Sequence, residues 1–159
     1  MTQSANRRLW SLIAAIVVFD QLTKHWALNR LSEGRTIDIV GSLRFNLAFN
    51  KGMAFSQATG AGPVIGGIAF IVVIVVVLWM RRQAQGLAAL AAGLIVGGAA
   101  GNLVDRLFRG DAWLRGAVVD FIDLQWWPVF NIADSAITIG AVLMIVASVR
   151  TKPAPTTPQ

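Results

Sequence analysis

The chain contains no cysteine, one histidine and few charged residues, and each shortage excludes a class of site. Disulfides, thiolate metal ligands and cysteine nucleophiles are excluded because there is no cysteine. A histidine-rich metal site is not expected with His25 as the only histidine. Charged residues make up 14% of the sequence, whereas soluble domains average roughly 25%. Carboxylate chemistry remains for catalysis, and we expect neither a metal nor a cofactor.

Apolar residues are abundant, at 55% of the 159 residues. Four apolar stretches approach the roughly 20 residues that a helix needs to cross a bilayer, and they cover residues 9–28, 63–80, 87–107 and 129–149. The sequence therefore predicts an all-α membrane protein, with four transmembrane helices in a single domain of residues 1–150 and with membrane lipids as partners. The net charge of +6 comes from scattered basic residues, so no nucleic-acid partner is expected.

Basic residues at the ends of the spans predict the orientation. Six of them flank one side without any acidic residue, and these are Arg7, Arg8, Arg81, Arg82, Arg150 and Lys152. The other side holds the remaining eight basic residues and all eight acidic ones, so the positive-inside rule is met by density in short flanks and not by count. We predict that both termini are cytoplasmic. The first span is expected to be retained, because no small-residue cleavage site follows it.

Three further segments lie outside the predicted spans. Residues 36–40 and 43–47 alternate in polarity around Gly41 and Ser42, which predicts a β-hairpin. We expect it to form an extracytoplasmic cradle against the bundle mouth or the lipid surface. Residues 108–128 are predicted to form a short loop before the last helix. Residues 151–159 are rich in proline and threonine and predict a disordered cytoplasmic tail.

The third span carries Gly93, Gly97 and Gly101 at four-residue intervals. Small residues at this spacing let another helix approach closely. We interpret them as a packing face.

Polar residues in the predicted spans cluster at one depth. A rise of 1.5 Å per residue places Asp20 roughly 18 Å, Asp134 roughly 24 Å and Asn102 roughly 30 Å from the cytoplasmic edge. Lys24 lies one turn beyond Asp20. In a core about 30 Å thick, these groups reach the outer third. Because ionisable groups within spans usually mark function, the sequence predicts one polar site near the outer face.

Two aspartates that share a proton can activate water, and the sequence offers several candidates. Asp134 begins the fourth span, and Asp120 lies in an apolar run just before it, so this pair is favoured. Asp123, in the loop beside Leu124, is the alternative to Asp120. Four acids are assigned other roles. Asp105, beside Arg106, is expected to be ion-paired, and Asp20 is expected to pair with Lys24 four residues on. Asp38 and Asp111 are expected to be solvated.

Five blocks of residues resemble the motifs of lipoprotein signal peptidases, also called signal peptidase II. They are DQLTK at residues 20–24, NKGMAF at 50–55, GNLVDR at 101–106, VVDF at 118–121 and FNIADS at 130–135. Each block is short, but all five occur in the order of the family and extend from the first span to the fourth.

The resemblance implies a catalytic pair, Asp120 and Asp134. It also implies polar residues that surround the pair or contact the substrate, namely Asn50, Gly52, Asn102, Asp105, Arg106 and Asn131, with Asp20 and Lys24 as a supporting pair. The implied reaction is hydrolysis of a prolipoprotein just before a cysteine that carries diacylglycerol. The implied location is the bacterial cytoplasmic (inner) membrane, with the site near the outer face, and we expect a monomer.

Two other functions are distinguishable from a peptidase. A small proton-coupled transporter predicts ionisable groups at mid-depth and internal repeats, and the sequence has neither. A non-catalytic assembly subunit predicts tolerance of alanine at Asp120 or Asp134.

Overall fold

The computed structural model describes residues 3–52, 62–83 and 85–150 of the chain. Within these residues it contains four α-helices and three β-strands. In chain order they are α1 (Gln3–Arg30), β1 (Thr36–Val40), β2 (Leu43–Asn50), α2 (Gly62–Gln83), α3 (Gly86–Phe108), β3 (Val118–Asp123) and α4 (Ile132–Arg150), with a 3₁₀ turn at Ser32–Gly34 after α1. The predicted tail, residues 151–159, and residues 53–55 of one motif lie outside the described residues.

Three helices of the described chain are long and apolar enough to cross a membrane. They are Pro63–Met80 within α2, Gly86–Phe108 and Ile132–Arg150. Helix α1 has 28 residues but is not among the three, because Arg7, Arg8, Asp20 and Lys24 reduce its hydropathy. The apolar side chains that α2 and α4 turn away from the bundle include Ile71, at 61% exposed, and Ile145, at 64%. Exposed apolar faces of this extent are expected against lipid.

Helix α3 packs against α1, α2 and α4 and forms the centre of the bundle. The predicted small-residue face, Gly93, Gly97 and Gly101, contacts α1. A Cβ on Gly97 would lie 2.9 Å from Ile16 Cδ1, and a Cβ on Gly101 would lie 2.7 Å from Asp20 Oδ2. The absence of side chains therefore brings α3 close enough to reach the polar groups of α1.

The predicted hairpin is present as β1 and β2, but the sheet has a third strand. Strand β3 pairs antiparallel with β2, in the order β1-β2-β3, with Asp120 opposite Ala48. The segment predicted as a loop before the last helix is thus partly a strand. The apolar residues of this segment do not by themselves predict a strand, because the strand with which they pair lies about 70 residues away in sequence.

The sheet is attached to the C-terminal end of α1 by aromatic contacts. The ring of Trp26 lies 5.2 Å from that of Phe45 and 6.2 Å from that of Phe121, both in edge-to-face geometry. Ala27 and Leu31 are buried beneath Phe121. These contacts fix β3 beside the end of the bundle where the predicted site residues lie.

We predict that Gly98→Ala destabilises the protein by about 1–3 kcal/mol, the usual cost of overpacking. A Cβ on Gly98 would overlap the backbone oxygen of Ala133 and lie 2.8 Å from Ile137 Cγ1, so α3 and α4 would have to separate. The matched control is Gly67→Ala, a helical glycine whose Cβ would meet nothing within 4 Å. Thermal unfolding in detergent should lower the midpoint for Gly98→Ala alone, and equal midpoints would contradict the close α3–α4 contact.

Candidate active site

The buried ammonium group of Lys24 joins three polar side chains. Nζ lies 2.8 Å from Asp20 Oδ2 and 2.9 Å from Asp105 Oδ2, and it donates to Asn102 Oδ1 at 2.9 Å. Lys24, Asp20 and Asp105 have no exposed surface. An ammonium has three N–H donors, so each has an acceptor here. The pairing of Asp20 with Lys24 agrees with the sequence.

Asp105 is ion-paired, but not with its neighbour Arg106. Its partners are Lys24 and Arg109, whose Nε lies 2.7 Å from Asp105 Oδ1. Adjacent residues on a helix do not face each other, whereas residues four apart do. The expected Asp105–Arg106 pair is therefore replaced by one with Arg109, and the guanidinium of Arg106 is left for another role.

The two carboxylates that bind Lys24 also accept hydrogen bonds from the backbone next to the predicted catalytic pair, Asp120 and Asp134 (the dyad). Asp105 Oδ2 accepts the N–H of Val119 at 3.1 Å, and Asp20 Oδ1 accepts the N–H of Ala133 at 3.0 Å. Val119 precedes Asp120, and Ala133 precedes Asp134. The ion cluster in the bundle thus fixes the position of the chain immediately before each of these aspartates.

Asn131 caps helix α4 and orients Asp134. Asn131 Oδ1 accepts the N–H of Asp134 at 2.9 Å, and Asp134 Oδ2 accepts the N–H of Asn131 at 3.3 Å. This is the reciprocal capping-box arrangement at a helix N-terminus, with an acid three residues after the cap. It holds the Asp134 side chain at the N-terminal end of α4.

Two amide side chains link Asp120 to Asp134. Asn131 Nδ2 donates to Asp120 Oδ1 at 2.6 Å and to Asn102 Oδ1 at 3.1 Å. Asn102 Nδ2 in turn donates to Asp134 Oδ1 at 2.7 Å. Since Asn102 Oδ1 also accepts from Lys24, one continuous set of hydrogen bonds joins both aspartates to the ion cluster.

Asp120 has an unusual environment for a carboxyl group. It lies on β3 and is 3% exposed. Burial, and after it the negative charge of Asp134, raise the pKa of Asp120 to about 7 against the opposing hydrogen bonds from Asn131 and Asn50. A carboxyl with this pKa can hold or release a proton near neutral pH.

Asn50 approaches Asp120 from the end of β2. The N–H of Gly52 donates to Asn50 Oδ1 at 2.9 Å, and the φ of Gly52 is 96°, in a region that favours glycine. The turn holds the amide oxygen, and the amide nitrogen donates to Asp120. Gly52 therefore positions the amide of Asn50, and Asn50 contacts the carboxyl group of Asp120.

Asp123, the alternative to Asp120, is committed to the sheet. Its Oδ2 accepts from Arg44 Nε at 2.8 Å, and its Oδ1 accepts the N–H of Gln125 at 2.7 Å. Burial would raise the pKa of Asp123, but these hydrogen bonds outweigh it and hold the pKa below its usual value. The two acids expected to be solvated, Asp38 on β1 and Asp111 in the loop after α3, are exposed.

A cavity of about 430 Å³, the polar cavity, opens beside Asp134. Among the described residues, its polar lining comes from Asn50, Gly52, Asn102, Arg106 and Asp134, and its apolar lining comes from α2, α3, α4, β3 and the loop before α4. Arg106 is 5% exposed, and its Nη1 has no hydrogen-bond partner among the described residues. A buried N–H without an acceptor is costly, so this atom is suited to a ligand's oxygen.

The described residues include no group of three His, Asp or Glu side chains that could hold a metal ion.

Comparisons with known proteins show the family to which the chain belongs. The family model for signal peptidase (SPase) II matches residues 12–150. The chain belongs to the signal peptidase II family. The lipoprotein signal peptidase of Mycobacterium leprae is 46% identical over 90% of this chain and 72% of its own length. That of Mycolicibacterium smegmatis is also 46% identical, over 89% of this chain and 61% of its own length. A solved bacterial membrane enzyme, 29% identical, superposes with a TM-score of 0.80 over 94% of both chains.

Two residues of the site were not predicted from the sequence. Gln21 Nε2 donates to Gly101 O and to Asp105 Oδ1, both at 3.1 Å, and its Oε1 accepts from Arg109 Nη2 at 3.3 Å. Gln21 lies inside one of the family motifs, and Arg109 lies four residues after Asp105. The four-residue spacing between Asp105 and Arg109 on a helix would have predicted this ion pair from the sequence.

We predict that Lys24→Met destabilises the folded protein by about 3–5 kcal/mol, because it leaves the buried carboxylate of Asp20 without its counter-charge and Asp105 with Arg109 alone. The matched control is Arg35→Met, which removes the exposed pair with Glu33, whose side chains are 65% and 76% exposed. An exposed pair contributes less than about 1 kcal/mol. Unfolding in detergent measures both changes. Similar small losses for the two variants would show that Lys24 does not neutralise the cluster.

Proposed function

We propose that this protein is a membrane-embedded aspartic endopeptidase that removes signal peptides from prolipoproteins. The bond cleaved is the one before a diacylglyceryl-modified cysteine, and Asp120 and Asp134 activate the attacking water. The observation that carries this proposal is the pair of amides, Asn131 and Asn102, that join the two carboxylates beside a cavity. Membership of the signal peptidase II family supports the substrate class.

The proposal includes α1 as a fourth membrane span. Its charged groups in the C-terminal part of the helix, Asp20 and Lys24, are buried against α3 and neutralise each other. Its outward side chains at the same level, Phe19 and Leu22, are 56% and 62% exposed and apolar. A helix with paired internal charges and an apolar outer face can be inserted in a bilayer.

Residues 1–150 then form one membrane domain with both termini in the cytoplasm and with the sheet outside. The dyad lies at the outer end of the bundle, close to the headgroups of the bacterial membrane. A cysteine anchored by diacylglycerol lies at this depth, so its peptide bond can reach the dyad without leaving the interface. The whole site is contained in one chain, which supports a monomer.

The chemistry follows from the different environments of the two aspartates. Asp134 takes a proton from water as the water oxygen attacks the scissile carbonyl carbon. Asp120, protonated near neutral pH because of its raised pKa, gives its proton to the carbonyl oxygen. The tetrahedral diol then loses the cysteine nitrogen, which takes the proton from Asp134, and one hydroxyl returns a proton to Asp120. The signal peptide leaves with a carboxyl terminus, and the pair is regenerated.

Arg106 has the geometry of a substrate contact. The unpartnered Nη1 lies in the wall of the cavity that contains Asp134. We assign it to a peptide carbonyl oxygen of the substrate, which supplies the missing acceptor and fixes the extended peptide beside the dyad. Asn50 and Asn102 line the same cavity, and their amides are held by Gly52 and Lys24.

Asp120→Asn and Asp134→Asn are each expected to reduce cleavage of a diacylglyceryl-modified prolipoprotein by about 10²- to 10⁴-fold, the usual contribution of a proton-transferring group. The matched control is Asp123→Asn, which removes a buried acid outside the cavity and should keep activity within a few-fold. Cleavage is followed by gel shift, and folding by thermal unfolding. Substantial activity in either dyad variant would remove that residue from catalysis, and loss of activity in Asp123→Asn alone would favour the alternative pair.

The value of kcat/KM should fall about tenfold per pH unit as pH rises above about 7, because Asp120 loses its proton there. The same raised pKa predicts that the free energy of unfolding decreases as pH rises from about 4 to about 7, since the unfolded chain ionises near 3.8. Asp120→Asn should therefore be at least as stable as wild type at pH 7.5. A wild-type rate that is constant up to pH 9 would show that no proton on Asp120 is required.

A further inference from the structure

A second cavity of about 430 Å³ lies on the other side of Asp134, and we call it the tryptophan cavity. Its lining includes Trp126, Trp127, Phe130, Asp134, Thr138 and Ile139. The two tryptophans are 72% and 59% exposed and meet edge to face with ring centroids 6.3 Å apart. The cavity therefore opens outward between the loop after β3 and the exposed face of α4.

The two cavities differ in chemistry although Asp134 belongs to both. The polar cavity contains Arg106, Asn50 and Asn102. Among the described residues that line the tryptophan cavity, Asp134 is the one that is charged, and the surface there is mostly apolar. Burial of a peptide group without hydrogen bonds costs free energy. The polar cavity therefore suits a peptide, and the tryptophan cavity suits a hydrocarbon chain.

We propose that the tryptophan cavity receives an acyl chain of the substrate's diacylglyceryl group. This inference rests on the proposed function, because it takes the lipidated cysteine as the residue that follows the scissile bond. The glyceryl thioether then begins within a few bonds of the carbonyl that the dyad attacks. The acyl chains of the substrate must therefore extend away from the two aspartates through a space that borders them. The tryptophan cavity is such a space, because Asp134 is part of its lining.

The position of the tryptophans supports a lipid as the occupant. Indole rings favour the boundary between hydrocarbon and headgroups, where the apolar ring and the polar N–H are both satisfied. Trp126 and Trp127 follow β3 and precede α4, at the outer end of the bundle. An acyl chain that enters beneath them continues along Thr138 and Ile139 on the exposed face of α4 and meets the bilayer without crossing a polar surface.

Photo-crosslinking tests the location of the lipid without depending on turnover. Two prolipoprotein substrates are needed, one with a diazirine in an acyl chain and one with a photoreactive leucine upstream of the cysteine. Each is bound to Asp120→Asn, and the labelled residues are mapped by mass spectrometry. We expect the acyl probe to label Trp127, Thr138 or Ile139, and the peptide probe to label the wall of the polar cavity at Ile65 or Ala69. Labelling of Ile65 or Ala69 by the acyl probe, or labelling by that probe outside both cavities, overturns the proposal.

A steric variant adds a kinetic test. Thr138→Trp fills the tryptophan cavity and should raise KM at least tenfold while kcat changes less than about threefold. Ile145→Trp is the control, since Ile145 lies two turns further along the same helix, outside the cavity, and is 64% exposed. Ile145→Trp should have wild-type kinetics. If Thr138→Trp also keeps the wild-type KM, the acyl chain does not enter this cavity. If wild type cleaves no lipidated substrate, the proposed function fails, and the crosslinks still report where the lipid binds.

Discussion

The pairing of Lys24 with two buried carboxylates is the constraint on which the rest of the site depends. Asp20 binds the ammonium through Oδ2 and accepts the N–H of Ala133 through Oδ1. Asp105 binds the ammonium through Oδ2, and the same oxygen accepts the N–H of Val119. A buried ammonium without these partners would be unstable, and so would the two carboxylates without the ammonium. The carboxylates that neutralise Lys24 thus also fix the position of the strand that carries Asp120 and of the helix N-terminus that carries Asp134.

This arrangement requires helices that approach one another unusually closely. Asp20 reaches the N–H of Ala133 only because Gly101 has no side chain where Asp20 Oδ2 lies, and Gly98 leaves room for the backbone of α4. In a membrane there is little hydrophobic force between helices, so close backbone packing and internal hydrogen bonds supply the association. The glycines of α3 are consequently part of the polar site as well as of the packing.

Local sequence patterns predicted the helices well, because a bilayer imposes a length on each apolar stretch. The predicted spans at residues 63–80 and 87–107 lie within α2 and α3, and the alternating residues 36–47 form β1 and the first part of β2. The site required contacts that no local pattern contains. Pairing of β3 with β2 joins residues about 70 positions apart, and the ion pair of Arg109 with Asp105 competes with a nearer basic neighbour. The motifs identified the residues at Asp120 and Asp134 but not the hydrogen bonds between them.

The difference between the two aspartates follows from the elements that carry them. Asp134 lies in the first turn of a helix, where the free N–H groups favour negative charge, and it accepts hydrogen bonds from the Asn131 N–H and the Asn102 amide. Asp120 lies on a strand between the sheet and the bundle, and burial dominates its titration. If the two aspartates had equal environments, neither would be favoured as the proton donor. Here the helix end favours Asp134 as the base towards water, and the buried strand favours Asp120 as the proton donor. The order of proton transfer in the proposed reaction thus follows from the secondary structure.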